Sequence, residues 1–531
     1  MEASLFSLPF LLLFLPAVVV LFALAPARWR GPVLLGASYV FYWMISGKLL
    51  VYLLVSTLSV HYAALWLGLL QKRQKARLQQ AQGDEKKKLR VLFRHQQRRI
   101  VLAIAVLHIG TLAVLKYSSF LAGNLNSLLT LLHWPALSLS FRFAVPLGIS
   151  FFSLQALSYL LDVYHEKIPA DTHLGRLALF LAFFPQIVEG PICRWQQTAC
   201  QLWQPEAPSF QRLTLGIQRI LLGVMKKVVI ADRLNLFIQN LFDRQLSDNG
   251  ALIALAALFY TCQLYMEFSG SLDVVCGSAE MLGVTMPENF RQPFFSRTIS
   301  EFWQRWHITL GTWFKDYLFY PLSMSAPLKS LTRHFRRKWG THASSLLSGA
   351  MALLVVWCCN GLWHGAGWHY LFFGLFHFTL ILGGSLIAPL GTRLTATLKI
   401  PVDKLPWRLF QMVRTTLLVA LGELFFRANG LALGLKLFTQ MIGNFSLTPL
   451  LDGTVLTLGM DLHDFFIVAI ALWIVLVYSV MKERGKDPRQ LLAQRRIAVR
   501  WPVYYGLILF IVIFGAYGSG YIPVDPIYAN F

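Results

Sequence analysis

The sequence predicts an all-α polytopic membrane protein, and three observations carry that prediction. Hydrophobic residues make up 56% of the 531-residue chain and charged residues only 14%, with a mean hydropathy of +0.55; a soluble globule of this size is far more polar. Apolar runs of about 20 residues, enough to cross a bilayer as a helix, recur along the chain. Lys and Arg gather in short segments between those runs, the pattern that fixes orientation in a membrane. The formal charge of +23 therefore points to the lipid bilayer as the partner and not to nucleic acid, which would need a basic face on a folded module.

Taken in order, the candidate spans are 5–25, 32–46, 48–70, 100–117, 143–163, 175–190, 214–235, 250–270, 344–363, 367–388, 405–427, 464–481 and 502–520. Several are short or interrupted by charge, so about ten to twelve crossings are expected, with the rest re-entrant or interfacial. No internal repeat or soluble insert stands out, and 1–531 reads as one unit. Leu5–Leu24 lacks a basic leader and reads as a retained span. The block Lys72–Arg99 holds eleven Lys/Arg and two acids; it reads as a solvated loop or an amphipathic helix near anionic headgroups. Arg28, Arg30, this block, Lys329–Lys338 and Lys482–Arg500 fit one cytoplasmic side. Residues 428–463 and Tyr521–Phe531 fall on the other.

The six cysteines form no metal-ligand spacing and read as small hydrophobes. The acids Asp162, Glu189, Glu267, Asp273 and Glu423 stand inside apolar runs, where an ionisable group is costly unless paired or hydrated. Each admits a structural and a functional reading; Glu267 and Asp273 flank Phe268–Ser271, which reads as a break in a helix.

The chain is organised around residues 301–377. In EFWQRWHITLGTWFKDYLFYPL, the residues Trp303, Trp306, His307, Leu310, Trp313, Phe314 and Tyr317 share one helical face, with Arg305 on the other. From Ala343 to Thr392 there is no charged residue, and in that stretch stands Gly361-Leu-Trp-His-Gly-Ala-Gly-Trp368. His307 and His364 thus lie in apolar surroundings on either side of a basic segment.

RWH at 305–307 and GLWHGAGW around His364 resemble the membrane-bound O-acyltransferases, in particular the bacterial branch of alginate and peptidoglycan O-acetylation proteins and teichoic acid D-alanyl transfer proteins. PLGISFFSLQALSYLLDVY (146–164), FFPQIVEGPICRW (183–195) and MPENF (286–290) extend the resemblance in the same order. It implies a helical bundle of that family, His364 as the catalytic histidine with His307 close to it, acetyl-CoA as donor, no metal, and a separate extracytoplasmic SGNH-type partner passing the acyl group to a polysaccharide. It also implies a bacterial cytoplasmic membrane. Glu267-Phe-Ser-Gly-Ser-Leu-Asp273 departs from the family's pattern in its first acid and in a missing Tyr.

Acyl transfer from a thioester to a hydroxyl needs a base for the proton and donors for the oxyanion. A neutral imidazole suits the first task, although a histidine in an apolar turn, taken alone, is more often a satisfied structural group. His364 is expected as base and His307 as its second group. Trp303, Arg305, Trp306, Trp363, Gly365, Trp368, His377, Glu267 and Asp273 are expected to line or support the channel, with Trp363 and Trp368 as walls and His377 as packing or hydrogen-bonding support. No Ser or Cys sits in a nucleophile elbow. Span counting puts His364 at an external turn, so a cytosolic donor requires that turn to be re-entrant. D-alanyl transfer is the alternative within the class; a transporter and a structural subunit are the rivals outside it.

Overall fold

In hydrocarbon every backbone N–H and C=O must find its partner inside the segment, which leaves helices as the solution for an apolar chain of this pattern. The computed structural model describes residues 5–137, 143–517, 521 and 524, with backbone alone at 337–339 and 341–345. Among the described residues every regular element is helical. Eight runs among these residues are long and apolar enough to cross a membrane: Ala27–Gln80, Gly83–Leu131, Gly250–Met281, Leu346–His364, Trp368–Thr397, Leu405–Arg427, Leu462–Glu483 and Ile497–Phe514. The first holds two helices, Ala27–Ser46 and Leu50–Gln80, parted at Gly47. Shorter apolar helices occupy Pro9–Leu24, Ile149–Tyr164 and Leu431–Gly443. The protein is membrane-embedded and multi-pass.

The chain forms two compact units. One comprises Met1–Ile217 and Val274–Pro287, the other Gln218–Asp273 and Glu288–Asn530. In the first, the basic block is helix and not loop. Leu50–Gln80 and Gly83–Leu131, of 31 and 49 residues, rise about 46 and 73 Å at 1.5 Å per residue. Both exceed the ~30 Å hydrocarbon core, so their charged ends stand beyond it. The expected span 175–190 resolves into a short helix, Leu174–Ala182, followed by irregular chain buried from 183 to 193. Pro185, which has no N–H to donate, keeps the helix from resuming, and protein groups satisfy what is freed: Phe184 N–H donates to Ser38 Oγ (3.1 Å) and Gln186 Nε2 to the Phe180 carbonyl (2.7 Å). Phe10, Phe14, Phe41 and Phe184 close over this segment with centroids 5.3–6.3 Å apart.

The expected span 214–235 is likewise interrupted. Helix Phe210–Met225 passes through a π turn, Lys226–Ala231, into Asp232–Phe242. The π turn brings two buried lysines to two sets of acids. Lys226 Nζ donates to Asp273 Oδ2 (2.7 Å), whose Oδ1 accepts from Arg219 Nε (3.0 Å). Lys227 Nζ donates to Asp232 Oδ1 (2.7 Å) and lies 3.7 Å from Glu267. Arg233 pairs with Asp464. Charges at this depth persist because each is paired. The expected helix break at 268–271 does not occur: Gly250–Met281 is continuous, and Gly270 instead lets the Gly223 carbonyl approach to where a Cβ would meet it at 2.8 Å. Of the outward C-terminal segment expected at Tyr521–Phe531, only 521 and 524 lie within the described residues.

Candidate active site

The histidine of the RWH motif sits at a break in the helix its apolar spacing predicts. Ile299–Arg305 and Ile308–Phe314 are separate seven-residue helices, followed by a π turn, Lys315–Phe319. Trp306 is extended and His307 adopts left-handed backbone, φ 45° and ψ 51°, a conformation that costs a non-glycine residue about 1–2 kcal/mol. Residues 289–291 hold the break. Ile308 N–H donates to the Asn289 carbonyl and Arg291 N–H to the Arg305 carbonyl, both at 2.9 Å. Asn289 Oδ1 accepts from Thr309 N–H and Thr309 Oγ1, each at 2.9 Å, and lies 3.2 Å from His307 Nδ1. A backbone N–H can only donate, so this Asn289 atom is the amide oxygen and His307 Nδ1 carries a proton towards it. Nε2 of the neutral ring therefore keeps its lone pair. Burial pushes the His307 imidazole down to about 3, and His364 adds a smaller push the same way.

His364 ends the helix Ala326–His364, which is parted by Gly340, and Trp368–Thr397 begins after a three-residue turn. The turn joins two helices, Leu346–His364 and Trp368–Thr397, each long and apolar enough to cross a membrane. Gly365 is required by close approach: a Cβ there would meet the Tyr370 ring at 2.3 Å. The His364 ring lies edge-on to Phe426, centroids 5.0 Å apart.

The two histidines meet in one cavity of about 420 Å³, lined by His307, His364, Trp303, Trp306, Trp357 and Asn360 together with apolar groups and the polar Ser300, Gln304, Thr312 and Lys315. Both rings are more than nine-tenths buried. Trp303 also donates its Nε1–H to His377 Nδ1 (3.2 Å), which gives His377 the hydrogen-bonded contact read from the sequence. Arg305 turns away from the cavity and pairs with Glu301 (2.8 Å) and Glu483 (2.9 Å). Trp363 and Gly365 do not line the cavity, and Trp368 is 54% exposed, so the expected walls are replaced by Trp303, Trp306 and Trp357. Glu267 and Asp273 belong to the lysine network and stand outside the cavity.

Sequence reasoning missed Asn360 and Asn289. Asn360 lies one turn before His364, on the same helical face. Among the described residues no group shares a hydrogen bond with its side-chain amide, and it faces the cavity. A polar residue at i−4 from a motif histidine inside an apolar helix was the available signal. The Asn289 signal was weaker, a lone amide in MPENF.

This constellation can be set beside known proteins. The model of the membrane-bound O-acyltransferase family matches residues 34–411. The chain belongs to this family. Among its relatives, the probable alginate O-acetylase AlgI of Azotobacter vinelandii is 32% identical over 83% of this chain and 79% of its own. The peptidoglycan O-acetyltransferase of Helicobacter pylori is 29% identical over 65% of each chain. The teichoic acid D-alanyltransferase of Bacillus subtilis is 30% identical over 44% of this chain and 58% of its own. The protein is thus a membrane-bound O-acyltransferase, and the family match contains both cavity histidines. Within that family membership, its cavity offers a ring nitrogen with a lone pair, a second imidazole and a side-chain amide, with Lys315 also on its wall.

Proposed function

We propose that the protein transfers an acetyl group from cytosolic acetyl-CoA across the bacterial cytoplasmic membrane to hydroxyls of an extracytoplasmic polysaccharide, through a separate SGNH-type partner. The observation that carries this reading is the joint presence of two buried histidines, His307 and His364, on one half-open cavity. The similarity to the alginate O-acetylase over most of both chains supports acetyl over D-alanyl, whose relative covers less than half of this one.

In the proposed reaction His364 takes the proton from the acceptor hydroxyl as its oxygen attacks the thioester carbonyl carbon. The Asn360 amide donates to the oxyanion that forms, a task that such a donor performs best in a dry, preorganised site. The C–S bond then breaks, the carbonyl re-forms, and the leaving thiolate takes the proton back from His364. His307, its ring held by Asn289, orients the acceptor hydroxyl. Its depressed basicity keeps it neutral throughout the physiological range. In this scheme the thioester reaches the cavity from the cytoplasmic side and the acceptor from the opposite one.

The test is base-labile acetate released from purified surface glycans of cells producing the wild-type protein or His364→Ala at equal membrane levels. Loss of acetate from one glycan fraction in the variant supports the reading and names the acceptor. Unchanged acetate with lost D-alanine esters transfers the reading to D-alanylation, and both unchanged refutes acyl transfer at this site.

A further inference from the structure

Helix Leu405–Arg427, one of the spanning helices, carries Arg414 at a solvent- or lipid-facing position. A cation on the outer face of such a helix is costly unless an anion meets it. Among the described residues no carboxylate does so. Among the described residues its guanidinium makes one hydrogen bond, from Nη2 to the backbone carbonyl of Arg297 (2.7 Å). Arg297 is itself exposed, and among the described residues its side chain has no acidic partner. The nearest carboxylate in this sequence of contacts is already committed: Glu301 Oε2 accepts the Arg297 N–H (2.8 Å) and Oε1 pairs with Arg305 (2.8 Å).

Beside Arg414 opens a groove of about 530 Å³, in which Ala254 and Ala257 face Phe410, Leu417, Leu421 and Met441. Arg414 is the sole polar residue among those lining it. The small side chains at 254 and 257 leave the space, and the large apolar ones wall it. A cation at the edge of an apolar groove on a membrane helix is complementary to a molecule with an anionic head and a hydrocarbon tail. A free phosphate would match the cation alone, and a neutral lipid the groove alone.

We propose that this groove binds an anionic phospholipid, its phosphate on Arg414 and an acyl chain against Ala254, Ala257 and Leu417. Through Arg414, the lipid is then joined to the Arg297 backbone, and through Glu301 to the helix Ile299–Arg305 that leads into His307. Bound lipid steadies the segment on which the site depends, although binding itself does not rest on the acyl-transfer reading.

The experiment uses the full-length protein in phosphatidylcholine nanodiscs, with phosphatidylglycerol titrated in. Lipid retained in native mass spectrometry and the thermal unfolding midpoint are both read. The variants are Arg414→Gln, Leu417→Trp, which fills the groove and keeps the charge, and Arg393→Gln as a control cation on another helix. Phosphatidylglycerol is expected to raise the midpoint of wild type and Arg393→Gln, with apparent affinity about fivefold weaker in Arg414→Gln and reduced also in Leu417→Trp. The proposal is overturned if Arg414→Gln and Leu417→Trp respond as wild type does. It is equally overturned if phosphatidylcholine alone, or inorganic phosphate, reproduces the effect. Should Arg414→Gln fail to fold, Leu417→Trp decides, since it leaves the arginine in place.

Discussion

At His307 one hydrogen bond decides what the ring can do. Asn289 accepts the Nδ1 proton, so the lone pair is confined to Nε2 and the ring stays neutral. Its folded-state value near 3 lies below the ordinary 6.5; the unfolded state therefore binds more protons as pH falls from about 6.5 towards 3, and stability is lost in that window and unaffected above it. The thermal midpoint in detergent should hold from pH 8 to 7 and fall below about 6.5, less steeply in His307→Gln. Asn289→Asp keeps the acceptor and adds a charge that favours the imidazolium. An acid limb in the pH–rate profile should then appear between pH 5 and 8, where the wild type shows none from this group. Asn360→Ala is expected to lower kcat about 10²–10³-fold, the loss that follows removal of an oxyanion donor, with KM for the thioester little changed; a change confined to KM would place Asn360 in ground-state binding.

Among the elements, the segments with the clearest apolar spacing were legible as helices, while the interruptions inside them were not. The face Trp303–Trp306–His307–Leu310 suggested one continuous helix, yet the break at 306–307 is imposed by a distant strand of contacts at 289–291. Tertiary hydrogen bonds of that kind leave no trace in local periodicity. The same holds at 183–193, where buried irregular chain is as apolar as a span, and at 268–271, where glycine and serine suggested a break and serve close packing. The two histidines were legible because motif and composition singled out the same short segments. Their shared cavity was not, since it depends on how Ile299–Arg305 meets Ala326–His364. Gly365→Ala should test the turn: its Cβ would displace the Tyr370 ring, lowering activity, and Gly365→Ala with Tyr370→Ala should recover part of it.

At the scale of the molecule, the net basic charge separates into two populations with different energetic weight. Lys75–Glu166 is a surface pair, with side chains 68% and 48% exposed, and such pairs contribute about 0–1 kcal/mol. Lys226–Asp273 is enclosed, with side chains 8% and 14% exposed, and breaking one partner of a buried pair costs about 3–5 kcal/mol. Asp273→Asn should therefore lower the thermal midpoint markedly and Lys75→Ala hardly at all. Composition alone could show that the chain is basic and membrane-embedded, but not which cations are paired at depth.

In the proposed reaction His307 and His364 act together in one cavity. The most direct measurement is thioester turnover by the purified full-length protein in lipid vesicles, for His307→Ala, His364→Ala and the double variant. His364→Ala alone is expected to lower turnover about 10²–10⁴-fold, the usual contribution of a general base, and the double variant to be little worse than His364→Ala, because residues acting as a unit are not additive. Losses that multiply in the double variant, or turnover that survives His364→Ala, would contradict that joint action.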